Sequence, residues 1–250
     1  MSEISKREDS ILRILAQNSE VSVQQLSEEL DVSQVTIRAD LRNLDAKGLA
    51  IRTRGGAVSA SNSFIQEKQN SNLQAKTQIA KAAAEFVKDG DSIMICNGTT
   101  SALIARYLLG KSDIHLVTNS TLILPYARAN SALHVTMIGG EFRPSAEGMV
   151  GSTAEHQLHD FHVNIAFLGT EGITIEHGLT TANPENADII RAMCSQADKT
   201  ILVADSSKYG VKGFVRIIPT DKIDVFITDK NLPREAIPEF EKIGVKTILV

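Results

Sequence analysis

The sequence predicts an α/β protein in two parts: a small helical N-terminal region closed by a hairpin, and a larger region built on a mostly parallel sheet. Three observations predict it. Residues 1–58 carry short apolar stripes at helical spacing and little strand character. Residues 76–250 alternate β-type apolar runs with helical stretches, the pattern of a parallel sheet covered on both faces. Between them, residues 59–75 are rich in Ser, Asn and Gln and poor in periodic apolar residues, which reads as a linker.

The N-terminal elements follow in order. Ile4, Ile11, Ile14 and Leu15 share one helical face. Val23, Leu26 and Leu30 make a second short stripe, and Ser22 with Gln25 fits a capping box at its start. Asp31-Val32 is a tight connection, and Ser33 is a suitable N-cap for a third helix. On that helix Ile37, Leu41 and Leu44 lie on one side, and Gln34, Arg38 and Arg42 on another. Gly48 ends it, and Ala50 to Val58 reads as a hairpin around Gly55-Gly56. Two helices joined by a short turn, followed by a hairpin, make a winged helix-turn-helix.

Charge places a function on this region. The whole chain carries 26 basic and 30 acidic residues, a net −4, so any surface for nucleic acid must be local. Ser33 to Val58 holds five basic residues (Arg38, Arg42, Lys47, Arg52, Arg54) against two acids (Asp40, Asp45), a local +3. Arg and Lys neutralise phosphates, and Arg and Gln on a groove-inserted helix read base edges. Ser33, Gln34, Thr36, Arg38 and Arg42 are the expected recognition-helix contacts, with Arg52 and Arg54 working from the wing. Asp40 would repel phosphate and is expected to pair with an Arg inside the region.

In the larger part, the predicted helices run over 76–86, 101–109, 122–129, 184–197 and 234–243. The predicted strands run over 92–96, 114–117, 133–138, 163–168, 200–204, 223–228 and 246–250. Ligands of such sheets bind at the carboxyl ends of strands. Those ends carry small polar residues: Asn97-Gly98-Thr99-Thr100-Ser101, Thr118-Asn119-Ser120, Gly139-Gly140 and Asp205-Ser206-Ser207-Lys208. Free N–H groups and Thr hydroxyls suit an anion, and Lys208 supplies a point charge for phosphate. Several donor-bearing strand ends suit a phosphorylated polyhydroxyl ligand. Neither G-x-G-x-x-G nor G-x-x-x-x-G-K-[ST] occurs, so dinucleotide binding and P-loop hydrolysis lack support.

Composition sets outer limits. The 250 residues are 42% hydrophobic, 22% charged and 4% aromatic, which excludes a mainly disordered, collagen-like or coiled-coil chain. No apolar run nears the ~18–20 residues of a membrane span. The polar start, Met1 to Asp9, lacks the apolar core of a secretory signal. Two cysteines, Cys96 and Cys194, argue against a disulfide framework and fit a reducing cytoplasm. His156, His159 and His162 recur every three residues, but the run turns around the helix and reads as surface histidines rather than a metal site. Met193 and Cys194 read as core filling.

Val32-Ser33-Gln34-Val35-Thr36-Ile37-Arg38-Ala39-Asp40-Leu41, with Gly48 and Arg52-Thr53-Arg54-Gly55-Gly56-Ala57, strongly resembles the DeoR family of bacterial transcriptional regulators. The family pattern is V-S-x-x-T-I-R-R-D-L, then Gly, then R-x-H-G-G-A. Ala39 stands where the family usually has a second Arg, and Arg54 where it often has His. Ile93 to Ser101 is similar to the family's I-F-x-D-x-G-T-T-T loop, with Cys96 in place of the acid. The blocks at Thr118, Gly139 to Arg143, Phe167 to Ile173 and Asp205 to Gly210 follow in the family's order. The resemblance implies a C-terminal sensor that binds a phosphorylated sugar or related metabolite, similar in fold to ribose-5-phosphate isomerase and glucosamine-6-phosphate deaminase. It adds Gly140, Arg143, Glu171, Asn183 and Glu185 to the expected effector contacts, with Asn183 alternatively capping the helix at Pro184.

The related isomerases carry D-G-A-D-E and K-G-G-G blocks. Here the matching stretches read Gly169-Thr170-Glu171-Gly172-Ile173 and Glu176-His177-Gly178-Leu179-Thr180, without the paired aspartates and the lysine. Isomerisation needs a base near the carbonyl, and Glu171 is the remaining candidate. The expected molecule is therefore a cytoplasmic regulator, a repressor of carbohydrate-utilisation genes, acting on double-stranded operator DNA as a homodimer or homotetramer. No cofactor, metal or membrane is expected. The alternatives are an activator, a sugar-phosphate isomerase-like enzyme, and a sensor that contacts another protein.

Overall fold

The computed structural model describes residues 5–18, 20–59 and 63–250, so Ile4 and residues 60–62 of the expected linker lie outside the described residues. The chain divides into two compact units, residues 1–70 and 71–250.

In the first unit, α1 (Lys6–Gln17) starts at Ser5, whose hydroxyl accepts the Glu8 N–H while Glu8 accepts the Ser5 N–H. Next come β1 (Val21–Ser22) and α2 (Val23–Glu29), which opens with the expected Ser22–Gln25 capping box. Asp31 turns the chain at φ 51° before α3 (Gln34–Ala46), which is capped by Ser33. Gly48 stops α3 at φ 67°, a left-handed conformation that glycine adopts without strain. The wing is β2 (Ala50–Arg52) and β3 (Gly56–Ser59), with Ile51 opposite Val58. Sequence reasoning missed its third strand: β1 pairs with β3, giving the order β1-β3-β2. Gly56 is required there, since a Cβ would lie 2.0 Å from the Val21 carbonyl oxygen. Ile11, Leu15, Val23, Leu26, Ile37, Leu41 and Leu44 fill one core.

Two ion pairs join α1 to α3. Arg7 grips Asp40 with two nitrogens, at 2.5 and 3.0 Å, and Lys47 meets both Glu8 oxygens at 3.1 Å. Asp40 thus pairs with an arginine inside the unit, as expected, though one that lies 33 residues away in the chain.

The expected linker needs correction. Residues 63–70 form α4 (Ser63–Asn70), and α5 (Leu73–Ala84) begins inside the segment as well. The polar composition hid α4, whose buried Ile65 does not belong to a periodic apolar stripe.

The second unit continues with β4 (Ser92–Ile95), α6 (Ser101–Ile104) and a 3-10 turn over 105–108, then β5 (Ile114–Thr118), α7 (Leu124–Ala129) and β6 (Leu133–Met137). A hairpin of β7 (Glu141–Arg143) and β8 (Gly148–Val150) leads to α8 (Ser152–Leu158) and β9 (Val163–Leu168). After β10 (Gly172–Thr174) and β11 (Gly178–Thr181) come α9 (Pro184–Ser195), β12 (Ala197–Val203), β13 (Val215–Arg216), β14 (Val225–Thr228), α10 (Ala236–Lys242) and β15 (Lys246–Leu249). The main sheet is wholly parallel, in the order β15-β14-β12-β9-β4-β5-β6. Neighbouring residues of one strand face opposite sides. Ile165 and Phe167 pack with Ile79 and Ile93, whereas Ala166 and Leu168 pack with Met193 and Phe226.

The expected strands and helices appear with ends moved by a few residues. The β7–β8 hairpin and the small antiparallel sheet β10-β11-β13 were not foreseen, and α8 was anticipated only as the helix carrying the histidine run. Their strands are two to four residues long and are held by their surroundings more than by pattern.

Replacing Asp40 by Ala is expected to lower unfolding stability of the N-terminal unit by about 1–3 kcal/mol in denaturant titration, because a buried acceptor is lost and Arg7 must rehydrate. The Ser5 N–H holds the Glu8 carboxyl below the usual carboxylate range, against burial and with help from Lys47. A carboxyl depressed in the folded state stabilises above its unfolded pKa of about 4.3 and loses that contribution as pH falls through the folded value. Glu8→Gln is therefore expected to melt lower than the wild type at pH 7, with the gap closing below about pH 4, in thermal unfolding followed against pH.

Candidate functional sites

The first site is the outer face of α3 with the wing. The buried line Ile37, Asp40, Leu41 and Leu44 fixes which way the helix points. Gln34, Val35, Arg38 and Arg42 are accordingly exposed, as are Ser33, Arg52 and Arg54, while Thr36 is half-buried. The Ser33 hydroxyl accepts the Thr36 N–H at 3.2 Å and lies 2.8 Å from the Thr36 hydroxyl, so both residues take part in the cap. The Arg52 N–H reaches Asp45 of α3 at 3.4 Å, which sets the wing strand beside the helix. Among the described residues, Arg38, Arg42, Arg52 and Arg54 form no ion pair. Asp40, the acid nearest them in sequence, is turned inward onto Arg7. The result is an exposed set of unpaired guanidinium groups, which is what a polyanion requires.

The second site lies at the carboxyl ends of the main sheet. From β4 the chain proceeds through β5 and β6 on one side, then returns to β9 and β12 on the other. The strand order therefore reverses between β4 and β9, where open α/β sheets bind ligands.

The structure brings the expected residues together there, but engages many of them internally. The Asn97 N–H donates to the Asn119 side chain at 2.8 Å, and the Asn119 amide returns a bond to Asn97 at 3.0 Å. The β7–β8 hairpin roofs this pair: Asn97 donates to the Ala146 carbonyl at 3.3 Å and Asn119 to the Met149 carbonyl at 2.9 Å. A Cβ on Gly148 would sit 2.8 Å from the Asn97 Cβ, so only glycine allows this approach. The Thr118 hydroxyl donates to the Ile95 carbonyl at 2.6 Å. The Ser120 hydroxyl is fully buried with no partner among the described residues. Gly140 packs its backbone against Val150 and Ala154.

Other expected contacts also serve the fold. Arg143 and Glu185 form a two-bond ion pair at 2.8 Å that ties the hairpin to α9, and Arg143 holds the Glu185 carboxyl below its usual range. Asn183 caps α9 by accepting the Glu185 and Asn186 N–H groups, the alternative role read from sequence. Glu171 accepts the Ala182 N–H at 2.7 Å and the Thr181 hydroxyl at 3.1 Å, which engages the one candidate base. Cys96 is wholly buried, its sulfur accepts the Gly169 N–H at 3.0 Å, and burial pushes its thiol up, so it is a packing group rather than a reactive thiolate.

Other groups remain available at the ends of β4 and β12. Gly98 and Thr99 are half-exposed, and their N–H groups meet no protein acceptor among the described residues. α6 has only four residues before it tightens into a 3-10 turn, so these individual donors matter more than a helix dipole. At the end of β12, Asp205 accepts the Ser207 N–H and hydroxyl and the Asn72 amide. Burial opposes the charge of Asp229, but the Ser206 and Asn231 N–H groups and the Ser206 hydroxyl outweigh it and hold its carboxyl below the usual range. These two carboxylates shape the loop that presents Lys208, which is half-buried and has no ion pair among the described residues.

Sequence reasoning missed Lys76, which is only 4% exposed on α5 and donates to Ser71 at 3.4 Å. Its signal was present: a lysine on the same face as Ile79, Ala80 and Ala83. It also missed Asn186, which accepts from Asn97. The three histidines of 156–162 do not converge: His156 meets the Ser152 carbonyl, His159 the Gln196 amide and His162 Asp198. Among the described residues no group of three or more His, Cys, Asp or Glu side chains is arranged to hold a metal ion. None of the described helices is long and apolar enough to cross a membrane.

Comparison with known proteins assigns a domain to each unit. Residues 7–63 match the DeoR-like helix-turn-helix domain, and residues 71–230 match the DeoR C terminal sensor domain. The HTH-type transcriptional regulator GlpR of Haloferax volcanii is 34% identical over 98% of this chain and 97% of its own. The HTH-type transcriptional repressor CsqR of Escherichia coli strain K12 is 30% identical over 97% of this chain and 94% of its own. Among solved structures, ribose 5-phosphate isomerase A from Methanocaldococcus jannaschii aligns with 56% of this chain and 55% of its own, at 21% identity and a TM-score of 0.40, too low to bear on chemistry. The chain belongs to the DeoR family, and it is a helix-turn-helix transcription regulator rather than an enzyme.

Proposed function

We propose that this regulator is a cytoplasmic repressor of carbohydrate-utilisation genes, released from its operator when a phosphorylated sugar occupies the strand ends of the second unit. The observation that carries the DNA reading is the set of exposed, unpaired guanidinium groups at Arg38, Arg42, Arg52 and Arg54. Ser33, Gln34, Thr36, Arg38 and Arg42 face the major groove, and Arg52 and Arg54 reach phosphate or minor groove from the wing. The 13-residue α3 covers only a short half-site, so two or four copies act together on a repeated site.

For the effector, the Gly98 and Thr99 N–H groups and the Lys208 ammonium supply the phosphate contacts. Asn97, Thr100, Ser101, Thr118, Asn119, Ser120, Gly140, Arg143, Glu171, Asn183, Glu185 and Asp205 build the frame around them. Much of that frame is closed by its own hydrogen bonds, with the buried Ser120 hydroxyl an exception, so most of those side chains reach a ligand only where the hairpin leaves a polar edge exposed. Release from DNA requires that the sugar phosphate bind the DNA-competent state less well than the other state. The turnover reading is disfavoured because Glu171 already accepts two hydrogen bonds.

Arg42→Ala is expected to weaken operator binding roughly tenfold at low salt and to reduce the salt slope by about 1, in titrations across salt concentrations. Unchanged affinity would remove Arg42 from the interface. Lys208→Ala is expected to abolish the thermal stabilisation given by the best member of a sugar-phosphate panel while leaving DNA affinity intact. A retained shift would place the phosphate elsewhere.

A further inference from the structure

The outward face of α3 carries a feature that charge does not explain. Val35 is 73% exposed, the most exposed large apolar side chain among the described residues of the first unit. Helical spacing puts it opposite the buried line of Ile37, Leu41 and Leu44. Ala39 follows one turn later on the same side, and Arg42 one turn after that. Gln34 and Arg38, both exposed, lie along one side of the pair, and exposed Asn43 with half-buried Thr36 along the other. In this unit, then, a narrow apolar strip of valine and alanine runs down the middle of a polar, cationic reading face.

We propose that Val35, continued by Ala39, reads the C5-methyl group of a thymine in the major groove. The edges of the base pairs there present hydrogen-bond donors and acceptors, and the thymine methyl is the apolar exception. A β-branched side chain keeps few rotamers on a helix, so its two methyl groups are held in place before binding. Val35 is the second residue of α3, at the amino end that contacts bases in helix-turn-helix proteins. At position 39 an alanine leaves room for the thymine methyl, whereas the arginine that the family pattern usually carries would fill that space. The strip therefore gives this regulator a base preference distinct from relatives with arginine at that position.

The test uses the full chain and a library of random duplexes. Wild type and Val35→Ser are each enriched to a preferred site. Each thymine of the wild-type site is then replaced singly by uracil, which lacks only the methyl group. At one thymine per half-site, uracil is expected to cost the wild type about fourfold in affinity and the serine variant nothing, as befits one buried methyl. Val35→Thr, which keeps one methyl, is expected to fall between them. Equal losses for wild type and Val35→Ser at every thymine would overturn the proposal while leaving DNA recognition in place. Failure of the wild type to enrich any sequence would overturn both. Because Val35 is exposed, Val35→Ser is expected to unfold with the wild type, which circular dichroism checks.

Discussion

The rotation of α3 about its own axis is the constraint on which the molecule's DNA-facing chemistry depends. It is set from inside, by Ile37, Leu41 and Leu44 against Ile11, Leu15 and Leu26, and by the Arg7 clasp on Asp40. A carboxylate in the middle of the reading helix would oppose phosphate if it faced outward. Burying it against α1 removes that charge and locks the helix with the same contact. The α1 ion pair from Glu8 to Lys47 adds a second fixed point near the other end of α3. With the inner face settled, Arg38 and Arg42 are exposed and have no acidic partner among the described residues.

The second unit solves a different problem. A wholly parallel sheet with apolar residues on both faces puts its polar loops at the strand ends, and the reversal between β4 and β9 leaves a crevice there. The β7–β8 hairpin covers part of that crevice and takes up the amides of Asn97 and Asn119. Arg143 and Glu185 fasten it to α9. The polar residues of the crevice thus divide into those that build a rigid frame and those that stay available, chiefly the Gly98 and Thr99 N–H groups and Lys208. A frame of satisfied hydrogen bonds keeps the free donors in position.

Much of this was legible in the sequence, for identifiable reasons. The caps at Ser22 and Ser33, the stop at Gly48 and the wing at Gly55-Gly56 are local chemistry, and the structure has them all. The inward turn of Asp40 followed from charge, although its partner is remote in the chain. The parallel strands were readable because their apolar runs are continuous. The short strands β7, β8, β10, β11 and β13 were not, since strands of two to four residues carry little pattern of their own. α4 was missed because its mostly polar composition carries no periodic apolar stripe. At the strand ends the sequence indicated residues that the structure places there, but not their partners. Whether Arg143 faces a ligand or Glu185 depends on where a distant helix begins, and local spacing carries no record of that.

The central claim is that unpaired positive charge on the first unit meets a polynucleotide. The salt dependence of wild-type affinity for its enriched duplex tests it most directly. Four arginines engaged per protomer predict that log affinity falls with log salt at a slope of about −3 to −4 for each bound protomer. A slope near zero, with affinity unchanged between dilute and physiological salt, would contradict it.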